Sequence, residues 1–358
     1  MAIIISKNGK NARRVDKAGF EQEDYLQKYI YDNPESVPLY DIKEDIHLLI
    51  LSREFSTSSG PVDALGIDEE GEIYLIETKL YKNPDKRLVV AQVLDYGASL
   101  WNSYGNVDEF LQILHNEINE KFKVSLNDRI KDFFGMVDDE EVKNLLENLK
   151  KNFSSGNFKF VVLMNKLHSQ LKDLIVFINQ NSQFDIFAVE MEYYKYEDYE
   201  IMIPKLFGAE AKKTIGSLSP SGLRRKWDEQ SFFEDAKSKL TEEQLRVVKR
   251  VYDFSNEMAD ENRWGSGVGN GSFNPVFAKI CPRSLYSVYS NGRLNFNFHW
   301  LNDNAEMEKY RDEFKDKLSK IHGITISADY RGRSVGVPIE KWIPVADEFI
   351  KVVQDLIK

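Results

Sequence analysis

The chain has 358 residues, 42% of them hydrophobic and 30% charged, with 20 glycines and 10 prolines. This is ordinary globular composition at a length that predicts two domains, and it excludes collagen-like, disordered and repeat-only chains. The net charge of −10 is uneven: residues 1–150 carry −11 and residues 211–358 carry +3. An acidic total lowers the expectation of a nucleic-acid partner but leaves room for a local basic groove. No apolar run approaches the roughly 20 residues that span a bilayer. Ala2 to Ile5 is too short for a secretory signal, and the lone Cys281 excludes an internal disulfide framework. A cytoplasmic protein with no membrane partner is the expectation. Five scattered histidines, without HExxH or paired CxxC, argue against a zinc enzyme.

In chain order, a polar start leads into a helix predicted over Phe20–Asn33, where Tyr25, Leu26, Tyr29 and Ile30 recur at helical spacing and Pro34 ends the run. Strands are predicted over Ile46–Leu51, Pro61–Ile67 and Gly71–Leu80, the last two separated by the acidic turn Asp68–Gly71. Asn83-Pro84 reads as the cap and first residue of a helix reaching about Trp101. Residues 107–152 read as mostly helical. Phe158–Met164 is a central strand, Leu167–Asn179 a helix, and Phe184–Tyr194 with Tyr199–Pro204 a strand pair. The predicted organisation is an α/β domain over 1–208, a linker over 209–227 and a smaller α+β domain over 228–358. In that second domain, helices are expected near 228–238, 241–259, 304–320 and 345–357. Strands are expected near 272–280, 284–290 and 293–300, the last two turning at Asn291-Gly292.

The residues that carry chemistry lie in the hairpin Pro61–Leu80. A turn at Asp68–Gly71 sets either Ile76 or Glu77 opposite Asp63, and two directly opposed side chains stand roughly 5 Å apart at Cβ. Lys79 shares the face of Glu77. Their neighbours are apolar, so the charges need partners or a metal. Carboxylates converging in a polar pocket suit Mg²⁺. A buried Lys–Glu bridge without metal is the competing structural reading. Gln92 and Tyr96 share one helix face at i and i+4, and Glu23 is positioned to bring a third carboxylate from the first helix.

Pro61-Val62-Asp63 with Glu77-Thr78-Lys79 fourteen positions after Asp63 resembles the PD-(D/E)xK nuclease signature. Gln92-Val93-Leu94-Asp95-Tyr96 is similar to the QxxxY motif of its RecB-like and Cas4-like branches. Glu23–Gln27 with Asn33-Pro34-Glu35 resembles an opening helix of the superfamily, and Arg53-Glu54-Phe55 with Gly60–Asp63 resembles archaeal-type mismatch endonucleases. The resemblance covers about residues 20–207. It implies a restriction-endonuclease-like α/β fold, with a mixed four- or five-stranded sheet flanked by helices. It also implies a nuclease using Mg²⁺ (or Mn²⁺) on DNA in repair or defence, with RNA left open, and an endonuclease rather than an exonuclease. By this resemblance Asp63, Glu77 and Glu23 ligate the metal, Asp63, Glu77 and Lys79 form the catalytic set, and Gln92 with Tyr96 positions DNA. Lys82 and Arg87, in the loop that follows, reach a phosphate. The alternative is a non-cleaving DNA- or partner-binding protein on the same fold; a homodimer stays open.

Other signals carry less. Gly265–Ser272 lacks the Gly-Lys-Ser/Thr ending of a phosphate-binding loop. Cys281 reads as buried and structural, Tyr193–Tyr196 as sheet core or sheet surface rather than a base-stacking stripe, and Leu223–Trp227 as a solvated linker. The +3 charge of the second domain, with Arg263, Trp264, Arg283, Arg293, Trp300, Arg331 and Arg333, suggests substrate engagement there; a dimerisation module with core tryptophans is the competing reading.

Overall fold

A computed structural model describes residues 2–39, 46–82, 88–103, 107–137, 139–182, 184–208, 227–265, 269–302, 304–328 and 330–358. The chain divides into two compact units. The first lies within Met1–Ile42, Ile46–Leu126 and Leu145–Ser221, and the second within Lys43–Asp45, Asn127–Asn144 and Gly222–Lys358.

The first unit opens with the strands β1 (Ala2–Lys7) and β2 (Lys10–Ala18), then helix α1 (Glu23–Asp32). Three strands follow, β3 (Leu49–Thr57), β4 (Gly60–Ile67) and β5 (Ile73–Lys79), and then helices α2 (Val89–Ser103) and α3 (Val107–Phe122). Helix α4 (Leu126–Phe134) and the start of α5 (Asp139–Ser154) belong to the second unit, and α5 re-enters the first at Leu145. Strand β6 (Phe158–Met164), helix α6 (Ser169–Asn181) and strands β7 (Asp185–Tyr196) and β8 (Tyr199–Phe207) complete it. The sheet has eight strands in the order β1-β2-β7-β6-β5-β4-β3, with β8 also paired to β7. β5, β6 and β7 are parallel and the remaining pairs antiparallel. The fold is thus mixed α/β, with helices flanking a mixed sheet.

Strands β4 to β6 are buried almost throughout, which is why they read as near-continuous apolar runs. On one face Leu26 and Ile30 of α1 pack with Ala64, Ile76, Val161 and Val189. On the other, Phe55, Phe110, Phe153 and Phe158 form a chain of ring contacts at 4.7–6.0 Å.

The sheet is larger than the four or five strands the resemblance implies, because residues read as a polar start form the hairpin β1–β2. Val15 is the one buried residue of the two strands and the others are half-buried or exposed, so no regular alternation of apolar and polar residues marks them. The readable signal was Asn8-Gly9, at φ 51° and 71°, between Lys7 and Lys10 in a two-residue turn. β3 lies a few residues beyond the expected strand. The expected cap at Asn83 falls outside the described residues.

In the second unit, α7 (Glu229–Lys239) and α8 (Glu242–Met258) each start on a capping box, at Asp228 and Thr241. A five-stranded antiparallel sheet follows, ordered β13-β12-β11-β10-β9: β9 (Glu261–Trp264), β10 (Ser272–Val276), β11 (Tyr286–Tyr289), β12 (Leu294–Phe296) and β13 (Val335–Val337). Helices α9 (Ala305–Leu318), α10 (Ile339–Trp342) and α11 (Ala346–Ile357) complete the unit. The strands are shorter than expected, and β9, β13 and α10 are too short to carry a period.

The arginines and tryptophans expected to engage a substrate have partners inside this unit. Trp264 packs among Phe232, Tyr252 and Phe273. Arg283 stacks on buried Trp300 at 4.0 Å. Arg293 pairs with Glu141 at 2.9 Å, both nearly inaccessible. Arg333 pairs with Asp132, Arg263 with Glu261 at 2.8 Å, and Arg331 with Asp312 at 3.9 Å. Cys281 is buried, as expected.

Candidate active site

The β4–β5 ladder runs Ile67↔Ile73, Gly66↔Tyr74, Leu65↔Leu75 and Ala64↔Ile76. The next pair in that register is Asp63 and Glu77, one of the two pairings the sequence allowed. There the backbone ladder stops. The Asp63 Oδ2 takes its place, accepting from the Thr78 N–H and the Thr78 hydroxyl, each at 2.7 Å. A side chain substituted for a ladder bond opens a notch between two central strands, and both carboxyls sit in it. Asp63 is 9% exposed and Glu77 1%.

Lys79, on the same face two residues on, places Nζ 3.1 Å from Glu77 Oε1 and 3.8 Å from Glu23 Oε2. Glu23 is the first residue of α1, and its Oε1 accepts from the Leu80 N–H at 3.0 Å. Glu23 therefore clamps the end of β5 and the ammonium from above. Glu77 Oε2 is buried and accepts from no donor among the described residues, while the Glu77 carboxyl lies in hydrogen-bonding contact with Asp63.

The electrostatics follow from this crowding. Burial pushes the Asp63 carboxyl up, against the Thr78 hydrogen bonds, the Lys79 charge and a hydrogen bond from Gln27 that pull it down. Burial, then the neighbouring Asp63, pushes Glu77 up to about 8, although Lys79 opposes both. Burial alone would lower Lys79, but Glu77, then Glu23 and Asp63, outweigh it, and its pKa is raised. Lys79 stays an ammonium. Three carboxyls facing one ammonium leave a formal −2 when all are ionised, with Glu77 sealed from water and Glu23, at 28% exposure, on the open side.

Gln92 donates to the Tyr96 hydroxyl at 2.7 Å across one turn of α2. Burial and the negative charges of Glu77 and Asp63 raise the Tyr96 phenol, against the Gln92 hydrogen bond. The pair therefore borders the same notch. Lys82 is exposed, and its Nζ donates to the Glu21 carbonyl at 2.6 Å. Arg87 lies outside the described residues.

Two contributors, Thr78 and Gln27, were not assigned a role by the sequence, and Arg53 stood there only as part of a resembling motif. Thr78 supplies two donors to Asp63, its N–H and its hydroxyl. Gln27, one turn beyond Glu23 on α1, reaches Asp63, and its Oε1 accepts from Arg53 Nη2 at 3.3 Å. Arg53 in turn pairs with Asp24. The i, i+4 spacing of Glu23 and Gln27 was a readable signal that both face the strands.

The donor set suits a hard divalent cation. It offers carboxylate oxygens, one of them buried and without a donor among the described residues, and a net negative charge that burial disfavours unless it is neutralised. Asp63 and Glu77 are the residues that would hold the ion. Among the described residues no group of three or more His, Cys, Asp or Glu is arranged to hold a metal; Glu23 is committed to Leu80 and Lys79. No family model matches the chain, and neither a curated protein nor a solved structure matches it.

Proposed function

We propose that the first unit is a metal-dependent nuclease that hydrolyses phosphodiester bonds of DNA. The observation that carries this reading is the buried Glu77 carboxyl crowded against Asp63 and Lys79, its Oε2 without a donor among the described residues. Two carboxyls forced together in a dry notch are costly unless a cation or a shared proton joins them. When bound, Mg²⁺ or Mn²⁺ supplies charge neutralisation at the scissile phosphate and activation of water. Asp63 is held for that task by Thr78 and Gln27, and Glu77 by Lys79. Lys79, kept protonated, donates to a phosphate oxygen or to the attacking water; it is not the base. Gln92 and Tyr96 border the entrance, where they position the substrate strand.

The second reading, a non-cleaving binder, is favoured by one observation. With Glu23 engaged elsewhere, a proton shared by Asp63 and Glu77 also neutralises the notch. Incubation with supercoiled plasmid, linear duplex, single strands and RNA separates the two. The nuclease reading predicts cutting in Mg²⁺ or Mn²⁺, none in EDTA, and none with Glu77→Ala or Lys79→Ala. Metal-independent cutting, or full activity in either variant, contradicts it.

A further inference from the structure

We infer that the β1–β2 hairpin is a ribbon that grips duplex DNA beside the candidate active site, an inference that rests on the nuclease reading for its substrate. Residues 2–18 carry Lys7, Lys10, Arg13, Arg14 and Lys17 against the single Asp16, a net +4. Residues 19–150 carry −15, so the hairpin reverses the sign of the sequence around it. Among the described residues, β2 joins the rest of the sheet only through Lys17↔Tyr194 and Ala18↔Tyr193. From Lys10 to Asp16 its ladder partner among the described residues is β1 alone, and at about 3.3 Å per residue this gives roughly 23 Å of two-stranded ribbon, exposed from Lys10 to Arg14 and buried at Val15 near its base.

The base of the ribbon adjoins the site. β8 occupies one edge of β7 from Ala188 to Tyr196, so β2 and β6 share the other edge, end to end. Lys17 Nζ accordingly donates to the carbonyl of Asn165, the residue after β6, at 3.3 Å. One strand further on, Lys79 lies opposite Met164, the last residue of β6. The same chain runs from Ala18 into Glu23 within five residues.

A two-stranded ribbon fits the B-form major groove, about 12 Å wide. The alternation of the strands puts Arg14 opposite Ile4 on one face, and both are exposed, Ile4 at 65%. Arg14 pairs with Asp16 at 2.8 Å and Arg13 with Glu197 at 3.6 Å. All four of these side chains are well exposed, so the pairs are solvent-screened and readily exchanged for phosphate.

The test is binding of a labelled short DNA duplex, without metal, by the full chain and by the triple variant Lys10→Gln, Arg13→Gln, Arg14→Gln. These side chains lie outside the candidate site and are exposed, so melting of the variant should match wild type. The log–log salt slope should flatten by about 0.9 per lost contact, up to about 2.7 for three. Arg13→Lys with Arg14→Lys should retain the slope. Duplex RNA of the same sequence, whose major groove is deep and narrow, should lose less affinity than DNA. An unchanged slope in the triple variant, or equal losses on both duplexes, overturns the inference. If wild type binds through the ribbon but cuts nothing in Mg²⁺ or Mn²⁺, the nuclease reading fails and the ribbon stands. Cutting with unaltered DNA affinity in the variant gives the reverse.

Discussion

At the scale of single residues, Glu77 holds its proton far above the usual glutamate range, up to about 8. Between pH 4.5 and 8 the folded protein binds a proton that the unfolded chain releases. Stability from this group is therefore full below about pH 4.5 and declines as pH rises towards 8, by at most about 1.4 kcal/mol per unit. Denaturation of the metal-free protein across that window should show the decline, and Glu77→Gln, which cannot ionise, should flatten it. Mg²⁺ should reverse the effect at pH 8, by roughly 2.7 kcal/mol at 100 times its dissociation constant, and Asp63→Asn should remove most of that gain. Thr78→Val keeps the shape of a buried side chain but deletes a donor to Asp63; a cost of about 1–3 kcal/mol is expected in chemical denaturation. Asp63, Glu77 and Lys79 were legible because ionisable residues interrupt apolar strands at fixed spacing. Thr78 was not, because a threonine in a strand is unremarkable until its neighbour's ladder bond is missing.

At the scale of elements, the notch depends on the short connection between β4 and β5. Asp68 Oδ1 accepts from the N–H groups of Glu70 and Glu72, and the Tyr74 hydroxyl donates to Asp68 Oδ2. Gly71 sits at φ 75°, where an added Cβ would lie 2.5 Å from the Leu145 carbonyl. Gly71→Ala should therefore cost at least about 1–3 kcal/mol in thermal or chemical unfolding, through strain and backbone collision together. The acidic, glycine-ended turn was readable from Asp68–Gly71, and so the hairpin register was readable to within one residue. Elements with little buried surface escaped. β1 and β2 bury only Val15 and show no regular alternation, so Asn8-Gly9 is their clearest mark. Helices with one apolar stripe, such as α1 with Leu26 and Ile30, were placed to within a turn.

At the scale of the whole molecule, division at the segment 209–227 is incomplete, because residues 127–144 belong with the second unit. Ile130, Phe134 and Val142 are buried there, and Glu141 forms the buried pair with Arg293 and also accepts from Asn291. Sequence order hides this. Apolar periodicity identifies α4 and α5 as helices but does not say which core receives them. Arg293→Ala, which removes the cation from the buried Glu141 carboxylate and leaves it the Asn291 and Val137 N–H hydrogen bonds, should destabilise the second unit by up to about 3–5 kcal/mol. A fragment ending near Gly208 should melt lower than the first unit does within the full chain, since it keeps 127–144 without their partners. Equal melting would show that this segment needs no second unit.

The central claim is that Asp63, Glu77 and Lys79 hydrolyse a phosphodiester with a divalent cation. It is tested most directly by the conversion of supercoiled plasmid by wild type and Glu77→Gln, side by side in Mg²⁺ and in EDTA. Wild type should nick or linearise the plasmid in Mg²⁺ only, and Glu77→Gln should fold at least as stably as the metal-free wild type yet leave the plasmid intact. Equal conversion by the two proteins, or conversion by wild type in EDTA, would contradict the claim.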